Sequence, residues 1–301
     1  MAKSADLPRI LSEKQVDFTI SESLAAHCTF RIGGAAWLFL RPDTVEKLKQ
    51  ALTCCRSCGV RYYLLGNGSN LLFADEGFDG AVIDLTALSG EPTVEDTILT
   101  AQAGCSLAAL CRAAQQKALS GLEFAYGIPG TLGGAVYMNA GAYGGEMAEV
   151  VLDASVLTQS GEVITVSAEQ LAFSYRHSAV EENGWCVLSA RLRLAHGDSK
   201  EIANKMEEII ARRRDKQPLD KPSAGSTFKR PEGAYAAALI EQCGLKGYRV
   251  GGAAVSEKHS GFVVNLGGAS CKDVLSLCEQ VCRTVKEKTG YTLEKEIRVV
   301  R

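Results

Sequence analysis

Apolar residues in the first two-thirds of the chain alternate between the spacing of strands and the spacing of helices. A short apolar run at 37–40 predicts a strand, and the apolar residues that follow share one face of a helix over 44–58. Three further apolar runs, separated by loops and a turn, predict the strands 60–65, 71–73 and 81–85. This order is typical of an α/β unit.

A second unit of strands and helices follows the first. Ser106 can cap a helix that runs to about residue 118. Ser167 and Gln170 have the spacing of a capping box, which predicts a short helix at that point. The remaining apolar runs predict three strands, the first two joined as a hairpin: 150–157, 162–166 and 185–194.

The composition changes after a connecting helix at 199–214. Residues 218–233 are rich in proline, glycine and polar residues, which predicts a loop. Ser270 and Asp273 have the pattern of an N-terminal cap for a long helix. The other predicted elements are a helix at 234–243, strands near 250–255 and 261–266, and a final strand at 292–300. Much of this stretch, about 206–290, could form a separate small α+β domain.

Charge and hydropathy narrow the class of protein. The 301 residues include 33 basic and 35 acidic ones, and the net charge of -2 indicates neither a nucleic-acid nor a membrane partner. No segment approaches the ~20 apolar residues of a membrane span. The first ten residues lack the apolar stretch of a secretory signal, so we expect a cytoplasmic protein. No obligate protein partner is inferred.

We interpret the eleven cysteines mainly as core residues and not as metal-binding or redox residues. In the cytosol we expect reduced thiols that pack as small apolar side chains. Cys55 and Cys58 form a C-x-x-C pair, but no second pair and no histidine pair follows to complete a metal site. Cys271, Cys278 and Cys282 have the spacing of one helix face. No metal site is predicted.

Two glycine-rich segments could hold a phosphorylated ligand. The first, GNGSN at 66–70, follows a predicted strand, and its glycines would let backbone N–H groups approach an anion. The second, from Gly127 to Gly145, holds too many glycines for an ordinary packed element. The structural alternatives are a tight turn and an irregular connection. Neither segment has the spacing of a P-loop or of a Rossmann motif.

Four polar residues elsewhere are candidates for chemistry, although each has an ordinary structural explanation. Arg176 in YRHS could clamp a carboxylate or phosphate, or form a surface ion pair. Ser226 in GSTFK could be reactive or a turn residue, and no hydrolase elbow surrounds it. Glu296 alternates with two other charged residues on a predicted edge strand. His259 could be a general base or a hydrogen-bonded structural histidine.

The order of these motifs is more specific than any one of them. The strings TFRIGG, LLGNGSNLL, the glycine segment, YRHS, GSTFKRP, VSEKHSGFVVN and LEKEIR follow one another along the chain. In this order they resemble the UDP-N-acetylenolpyruvoylglucosamine reductase family over nearly the whole chain. The direct path from YRHS to the helix at 199–214 resembles the shorter type of that family.

The resemblance implies the fold and the cofactor. It implies a two-subdomain FAD-binding fold of the vanillyl-alcohol-oxidase type, of mixed α/β and α+β class, with a smaller α+β substrate-binding domain. The subdomains would span 1–85 and 86–205, the substrate domain 206–290, and a C-terminal strand carrying a catalytic glutamate 291–301. FAD would be bound non-covalently and NADPH would be the co-substrate. The implied FAD-binding residues are Arg31, Gly33, Gly66, Asn67, Gly68, Ser69, Asn70, Gly127, Ile128, Pro129, Gly130, Gly133, Gly134, Asn139 and Gly141.

The resemblance also implies the reaction. This is the reduction of UDP-N-acetylglucosamine enolpyruvate to UDP-N-acetylmuramate, a step of peptidoglycan precursor synthesis, by an FAD-dependent oxidoreductase. The family's catalytic trio maps onto Arg176, Ser226 and Glu296. Arg176 and Glu296 would stabilise developing negative charge, and Ser226 would donate a proton to carbon.

Three further positions follow from the same resemblance, and one position departs from it. Tyr175, Lys216 and Lys229 would contact the substrate. Arg230 stands where many relatives have Asn. The departure does not touch the catalytic trio.

Two other functions are open from the residues alone. One is an FAD oxidase of alcohols or amines in the same fold superfamily, and the other is a non-catalytic sugar-nucleotide binding protein. No residue stands out as a covalent tether for a flavin, and an oxidase would leave GSTFK and LEKEIR unexplained. A yellow protein whose colour NADPH bleaches would separate the enzymes from the binding protein.

Overall fold

The computed structural model describes residues 6–301, so half of the amino-terminal stretch used to predict localisation lies outside the described residues. The helices, α1 to α8, are Asp6–Glu13, Val45–Ser57, Leu107–Gln116, Leu132–Met138, Ala179–Glu182, Ser199–Lys216, Ala236–Gln242 and Cys271–Thr289. The strands, β1 to β19, are Phe18–Ser23, Ala35–Leu40, Tyr62–Leu65, Leu71–Phe73, Phe78–Asp84, Thr93–Glu95, Ile98–Gln102, Leu119–Ser120, Gly141–Ala142, Gly145–Glu146, Val151–Leu157, Val163–Ser167, Cys186–Arg193, Ala195–His196, Ser223–Ser226, Arg249–Val250, Ala253–Val255, Phe262–Asn265 and Arg298–Val300.

The chain forms two compact units whose segments are interleaved in the sequence. The first contains the chain up to Thr19, Phe39–Asn67 and Ala81–Arg212. The second contains Ile20–Leu38, Gly68–Gly80 and Arg213–Arg301. The chain therefore passes from the first unit to the second inside the GNGSN segment, between Asn67 and Gly68.

The core of the first unit is built on an antiparallel sheet of order β12-β11-β13-β7-β6. Helices α3 and α4 belong to the same buried cluster as the central strands, through residues such as Leu110 and Val136. Strands β3 and β5 pair in parallel in another sheet, of order β1-β2-β5-β3. The predicted hairpin of β11 and β12 and the predicted strand β13 are confirmed.

Side-chain caps fix where the predicted helices of the first unit begin. The Thr44 hydroxyl accepts a hydrogen bond from the Lys47 backbone N–H at the start of α2. The Ser106 hydroxyl does the same for the Ala109 N–H at the start of α3. Each cap satisfies one of the N–H groups that a helix leaves without a partner in its first turn. Both helices were predicted, and both are confirmed.

The second unit combines an antiparallel sheet, β15-β18-β17-β16, with the long helix α8. The predicted cap of α8 is confirmed as a full capping box between Ser270 and Asp273. The Asp75 carboxylate accepts hydrogen bonds from the backbone N–H groups of Cys271, at 2.7 Å, and Lys272, at 3.1 Å. A carboxylate is favoured at that helix end, because the helix dipole is positive there. Asp75 thus ties the segment Gly68–Gly80 to α8.

One predicted helix does not form, and one strand is shorter than the sequence predicted. Ser167 and Gln170 do exchange the two capping-box hydrogen bonds, but they close a turn and no helix follows. The final strand is only Arg298–Val300, which pairs in parallel with β4. Glu296 lies before this strand, where Lys295 makes an isolated bridge with Phe228. The predicted alternation along one strand face was therefore wrong, because the chain turns from one pairing partner to another.

Several elements were missed, including strands β6 and β7 of the five-stranded sheet and two elements close to the predicted site residues. The glycine-rich segment contains helix α4, and the predicted loop at 218–233 contains strand β15. The start of α4 has a usable signal, since Thr131 caps the Gly134 N–H in the manner of a helix N-cap. The density of glycines hid that signal.

The cysteines are core residues, as their spacing predicted. All eleven are free thiols, nine are buried, and only Cys58 and Cys282 are partly exposed. Burial raises the pKa of the Cys55, Cys111 and Cys278 thiols to about 12, so they are protonated at neutral pH. No group of three metal-binding side chains occurs among residues 6–301. In the same range no helix is both long and apolar enough to cross a membrane.

Candidate active site

In the first unit the two glycine-rich segments lie against each other. The Asn67 amide donates a 2.7 Å hydrogen bond to the Pro129 carbonyl. A Cβ atom at Gly66 would lie 2.7 Å from the Thr131 hydroxyl oxygen, so a larger residue would push the segments apart. The sequence predicted that both segments bind one ligand, and the structure brings together the parts of them that this unit contains.

The second glycine segment is anchored on the side that faces the core. Backbone hydrogen bonds of 2.8 Å join Leu132 to Cys105 and Gly133 to Ala103. The opposite side is open, with Asn67, Pro129 and Gly134 exposed. Asn139 is buried, and the other predicted ligand positions of these segments in this unit are partly exposed: Gly66, Gly127, Ile128, Gly130, Gly133 and Gly141. An accessible surface of glycine backbone suits a flat, phosphorylated cofactor such as FAD, because the ligand can approach the main chain closely.

Apart from Asn139, the other predicted FAD-binding residues lie in the second unit. Gly68 has φ +60°, and a Cβ atom there would lie 2.2 Å from the His27 carbonyl oxygen. Gly33 is crowded in the same way by Phe73. Ser69 is partly exposed, and Arg31 is exposed. The protein's own packing therefore accounts for these two glycines, and the exposed Arg31 is the one cation of the predicted set.

Arg176 occupies the tip of a tight turn. Ser174 and His177 exchange two backbone hydrogen bonds of 3.1 Å, which leaves Tyr175 and Arg176 as the two turn residues. Arg176 has φ +57°, a conformation that is uncommon for a residue other than glycine. Its guanidinium donates a 3.1 Å hydrogen bond to the Gly141 carbonyl and lies 5.1 Å from the Tyr175 ring centre. Arg176 is partly exposed, and a guanidinium carries five N–H donors in a planar fork.

Asn139 is a predicted FAD-binding residue with no exposed surface. It ends helix α4 in the left-handed conformation, with φ +42°. Its amide donates to the Ser174 carbonyl at 3.0 Å, and its oxygen accepts from the Ala148 N–H at 2.9 Å. The Asn139 side chain is thus bonded to the base of the turn that carries Arg176.

Ser226 is an exposed serine at the end of strand β15. The preceding Gly225 has φ +74°, and the pairing of β15 with β18 is irregular at this point. The next residue, Thr227, is fully buried, and its hydroxyl accepts a 2.9 Å hydrogen bond from the Val263 N–H. Within residues 6–301 the Ser226 hydroxyl has no hydrogen-bond partner, so the loop presents it to solvent on a fixed support.

Glu296 is held beside Ser226 by backbone hydrogen bonds. Its N–H donates to the Thr227 carbonyl at 2.8 Å, and its own carbonyl accepts from the Asn70 amide at 3.2 Å. The Asn70 carbonyl in turn accepts from the Arg298 N–H at 3.0 Å. The end of the GNGSN segment, the GSTFK loop and the C-terminal segment therefore meet at Glu296.

The other predicted substrate contacts are less organised. Lys229 forms a 3.3 Å ion pair with Glu294, and Lys216 is exposed at the end of α6. Tyr175 has half of its surface exposed. Arg230, at the position that departs from the family pattern, stacks on Tyr235 with 4.0 Å between the guanidinium carbon and the ring centre.

The structure places His259 in the environment of a hydrogen-bonded structural histidine, one of the two alternatives that the sequence left open. Its Nδ1 accepts a 3.1 Å hydrogen bond from the Gly261 N–H, and its ring meets Phe262 edge-on at 4.9 Å. Burial lowers the pKa of His259 below its usual value. The Gly261 carbonyl accepts the 2.8 Å hydrogen bond of the Thr227 N–H. His259 is thus a neutral support one step behind the Ser226 loop.

Comparison with known proteins first defines the class. A family model described as an FAD binding domain matches residues 37–167, which include Asn67 and the glycine segment. A variant of berberine bridge enzyme, described as a reticuline dehydrogenase, superposes with a TM-score of 0.51 at 18% identity, over 64% of this chain and 44% of that one. That likeness concerns the fold alone. The protein is an FAD-dependent oxidoreductase with the FAD-binding fold of the vanillyl-alcohol-oxidase type.

Closer relatives define the family. The family model for the UDP-N-acetylenolpyruvoylglucosamine reductase C-terminal domain matches residues 217–300. The reductase of that name from Lachnoclostridium phytofermentans is 45% identical over 299 residues, 98% of this chain and 96% of that protein. The crystal structure of the reductase from Thermus caldophilus superposes with a TM-score of 0.79 at 38% identity, over 95% of this chain and 99% of that one. The chain belongs to the UDP-N-acetylenolpyruvoylglucosamine reductase family.

Several residues that build the site were not identified from the sequence. Thr227 supports Ser226 and Glu296 through its backbone, and Ser178 is a fully buried serine whose hydroxyl donates to the Tyr137 carbonyl at 2.9 Å. Both lie within a predicted catalytic motif, Thr227 in GSTFK and Ser178 in YRHS. A signal for them exists only in that proximity, because serine and threonine are common in loops and their partners are distant in sequence.

Proposed function

We propose that this enzyme reduces the enolpyruvyl ether of UDP-N-acetylglucosamine enolpyruvate to UDP-N-acetylmuramate. The observation that carries the proposal is the hydrogen bond between the Glu296 N–H and the Thr227 carbonyl. This bond brings together GSTFK and LEKEIR, the two short motifs that contain Ser226 and Glu296. Family membership, and a C-terminal domain matched over 217–300, support the same reaction.

We assign Arg176 and Glu296 one task in this reaction, and Ser226 another. When bound, FAD supplies the hydride that reaches the methylene carbon of the substrate. Negative charge then develops on the neighbouring carbon and its carboxylate. The Arg176 guanidinium and the Glu296 carboxyl group, if protonated, can stabilise this charge by hydrogen bonds and electrostatic attraction.

Ser226 completes the reaction as the proton donor. An alcohol is a weak acid, but a carbon that carries negative charge is a strong base, so transfer from a hydroxyl is feasible. The exposed hydroxyl without a protein partner is free to face a substrate, and the buried Thr227 next to it keeps the backbone in place. With this proton the reaction is balanced, because one hydride and one proton convert the enolpyruvyl group to a lactyl ether.

The cofactor and substrate contacts complete the proposal. The residues expected from the motifs, except Asn139, bind FAD, and NADPH is the reductant. Tyr175, Lys216 and Lys229 contact the sugar nucleotide. The enzyme acts in the cytoplasm, with FAD-binding subdomains at 1–85 and 86–205, a substrate domain at 206–290, and the Glu296 segment at 291–301.

Anaerobic stopped-flow mixing tests the function directly. Mixing with NADPH should bleach the visible absorbance of the flavin, as expected for a bound redox cofactor. Adding the enolpyruvyl substrate should restore the absorbance and yield UDP-N-acetylmuramate. An oxidase of the same fold would recover its colour with oxygen and ignore the enolpyruvyl substrate. A binding protein would show neither change.

A further inference from the structure

We propose that Asn139 is the positioning residue of Arg176, and that it acts through the turn that carries the arginine instead of through contact with the cofactor. Both polar atoms of its side chain are committed to backbone partners, and the residue has no exposed surface. Because no part of the side chain reaches the surface, it does not contact a ligand bound there. The inference rests on the proposed catalytic role of Arg176.

The Asn139 amide fixes the base of the turn. It donates to the Ser174 carbonyl at 3.0 Å, and Ser174 closes the turn through its two hydrogen bonds with His177. A second anchor lies on the other side, where the buried Ser178 hydroxyl donates to the Tyr137 carbonyl at 2.9 Å. The turn is thus attached at both ends to the last residues of helix α4.

The Asn139 oxygen fixes the surface that receives the guanidinium. It accepts from the Ala148 N–H at 2.9 Å, which closes the loop that contains the short hairpin of β9 and β10. Gly141, the residue whose carbonyl accepts the Arg176 hydrogen bond, begins that hairpin. The buried Asn139 side chain therefore holds the turn that carries Arg176. It also holds the loop that contains Gly141, whose carbonyl orients the Arg176 guanidinium.

The backbone explains why an asparagine stands here. Position 139 has the left-handed conformation, which asparagine tolerates better than other residues with a side chain. Glycine tolerates it equally but has no amide. Asn139→Gly therefore removes the two side-chain hydrogen bonds without backbone strain, and it leaves the Ser178 anchor to keep the turn folded.

The experiment is a double-mutant cycle on the oxidative half-reaction with the enolpyruvyl substrate. The variants are Asn139→Gly, Arg176→Ala and the double variant, each measured by stopped flow in both half-reactions. Asn139→Gly should slow the oxidative step about 10–100-fold, as expected for a misplaced catalytic group, with the NADPH step within a few-fold of wild type. The double variant should be no slower than Arg176→Ala alone, because a positioning residue has no effect once its target is gone.

Hydrogen exchange gives a readout that does not depend on activity. In Asn139→Gly, peptides over 139–148 and 171–178 should exchange faster, because the Ala148 N–H loses its acceptor and the turn loses one anchor. Asn183→Ala is the matched control, since the Asn183 amide also donates to a backbone carbonyl, that of Ala179, at 2.8 Å at a helix end of the same unit. It should change neither half-reaction.

The outcomes separate the inference from the proposed function. A normal oxidative rate in Asn139→Gly, together with a slow rate in Arg176→Ala, overturns the inference alone. The inference is also overturned if the rate losses of the two single variants multiply in the double variant. A normal rate in Arg176→Ala overturns both the inference and the role of Arg176. If Asn139→Gly does not fold, Asn139→Asp replaces it, since it keeps the acceptor for Ala148 but sets an oxygen against the Ser174 carbonyl. It should then show the same selective loss in the oxidative step, and a normal rate there overturns the inference.

Discussion

The backbone N–H of Glu296 donates a 2.8 Å hydrogen bond to the carbonyl of Thr227, the residue that follows Ser226. A glutamate near the end of the chain is thereby held beside a serine that lies 70 positions earlier. The bond belongs to the backbone, so substitutions of either side chain leave the frame intact. Side-chain variants at Ser226 and Glu296 can therefore test chemistry separately from folding.

Ser226→Ala should nearly abolish the oxidative half-reaction and leave the NADPH half-reaction close to wild type, because only the first needs a proton donated to carbon. The exposed hydroxyl makes no hydrogen bond within residues 6–301, so its loss should not change stability or FAD content. Ser226→Cys should retain more activity than Ser226→Ala, since a thiol is the stronger acid. Stopped-flow rates of each half-reaction provide the measurement. Turnover of Ser226→Ala within a few-fold of wild type would make water or another group the acid.

Glu296→Gln should slow the oxidative half-reaction by about 10²–10³-fold, the loss typical of one group that stabilises an oxyanion-like state. The Asn70 and Thr227 hydrogen bonds involve the Glu296 backbone, so they persist in the variant. Glu287→Gln is the control, because Glu287 is exposed on helix α8 and is no predicted site residue, so it should change neither half-reaction. An equal drop in the NADPH half-reaction of Glu296→Gln would point to a cofactor role instead.

The flavin should be released into solution when the protein is precipitated with acid. The parts of the two glycine segments in the first unit, 66–67 and 127–145, contain neither a cysteine nor a histidine that could form a covalent bond to the cofactor. The measurement is the absorbance of the supernatant against that of the pellet. Flavin that stays with the pellet would favour the tethered-oxidase alternative.

At most the two partly exposed cysteines, Cys58 and Cys282, should react rapidly with a thiol reagent in the native protein. The other nine are buried, and burial raises the pKa of thiols such as Cys186 to about 12, which removes the reactive thiolate. All eleven should react after denaturation. Activity should be unaffected by a chelator, and stoichiometric zinc in the purified protein would contradict a structural role.

His259 should make the protein less stable as the pH falls below its ordinary pKa of about 6.5. Burial is the largest cause of its lowered pKa, and the nearby Lys246 lowers it further while Glu241 opposes the shift. The unfolded chain therefore takes up a proton at a higher pH than the folded one. Folding stability is complete above about pH 6.5 and declines as the pH falls from there through the pKa of the folded state.

His259→Gln removes this titration and serves as the comparison. The melting temperature of the wild type should fall more than that of the variant between about pH 7.5 and about pH 5, the range that spans the ordinary histidine pKa. A parallel fall in both proteins would mean that other groups dominate the acid sensitivity of the fold. Glutamine can still offer a polar atom to the Gly261 N–H, so the support of the Ser226 loop should survive.

Local signals in the sequence were sufficient wherever the physics is local. Ser106, Ser270 and Asp273 cap helices through neighbours three residues away, and apolar periodicity marked α2, α3, α8 and the β11–β12 hairpin. The cysteine spacing in α8 likewise predicted burial, because one helix face packs against one core. The order of short motifs was also enough to indicate the family, since each motif keeps its place along the chain.

Only the tertiary structure decided what each polar residue touches. Ser226 has the local sequence of a turn serine, and its neighbour Glu296 is brought near by pairings that depend on the whole second unit. Asn139 is one more polar residue in a glycine segment of the sequence, yet its hydrogen bonds lead to Ser174 and Ala148. Periodicity reports which face of an element is buried. It carries no information about partners distant in sequence, which are chosen by packing and by the need to satisfy every buried polar group.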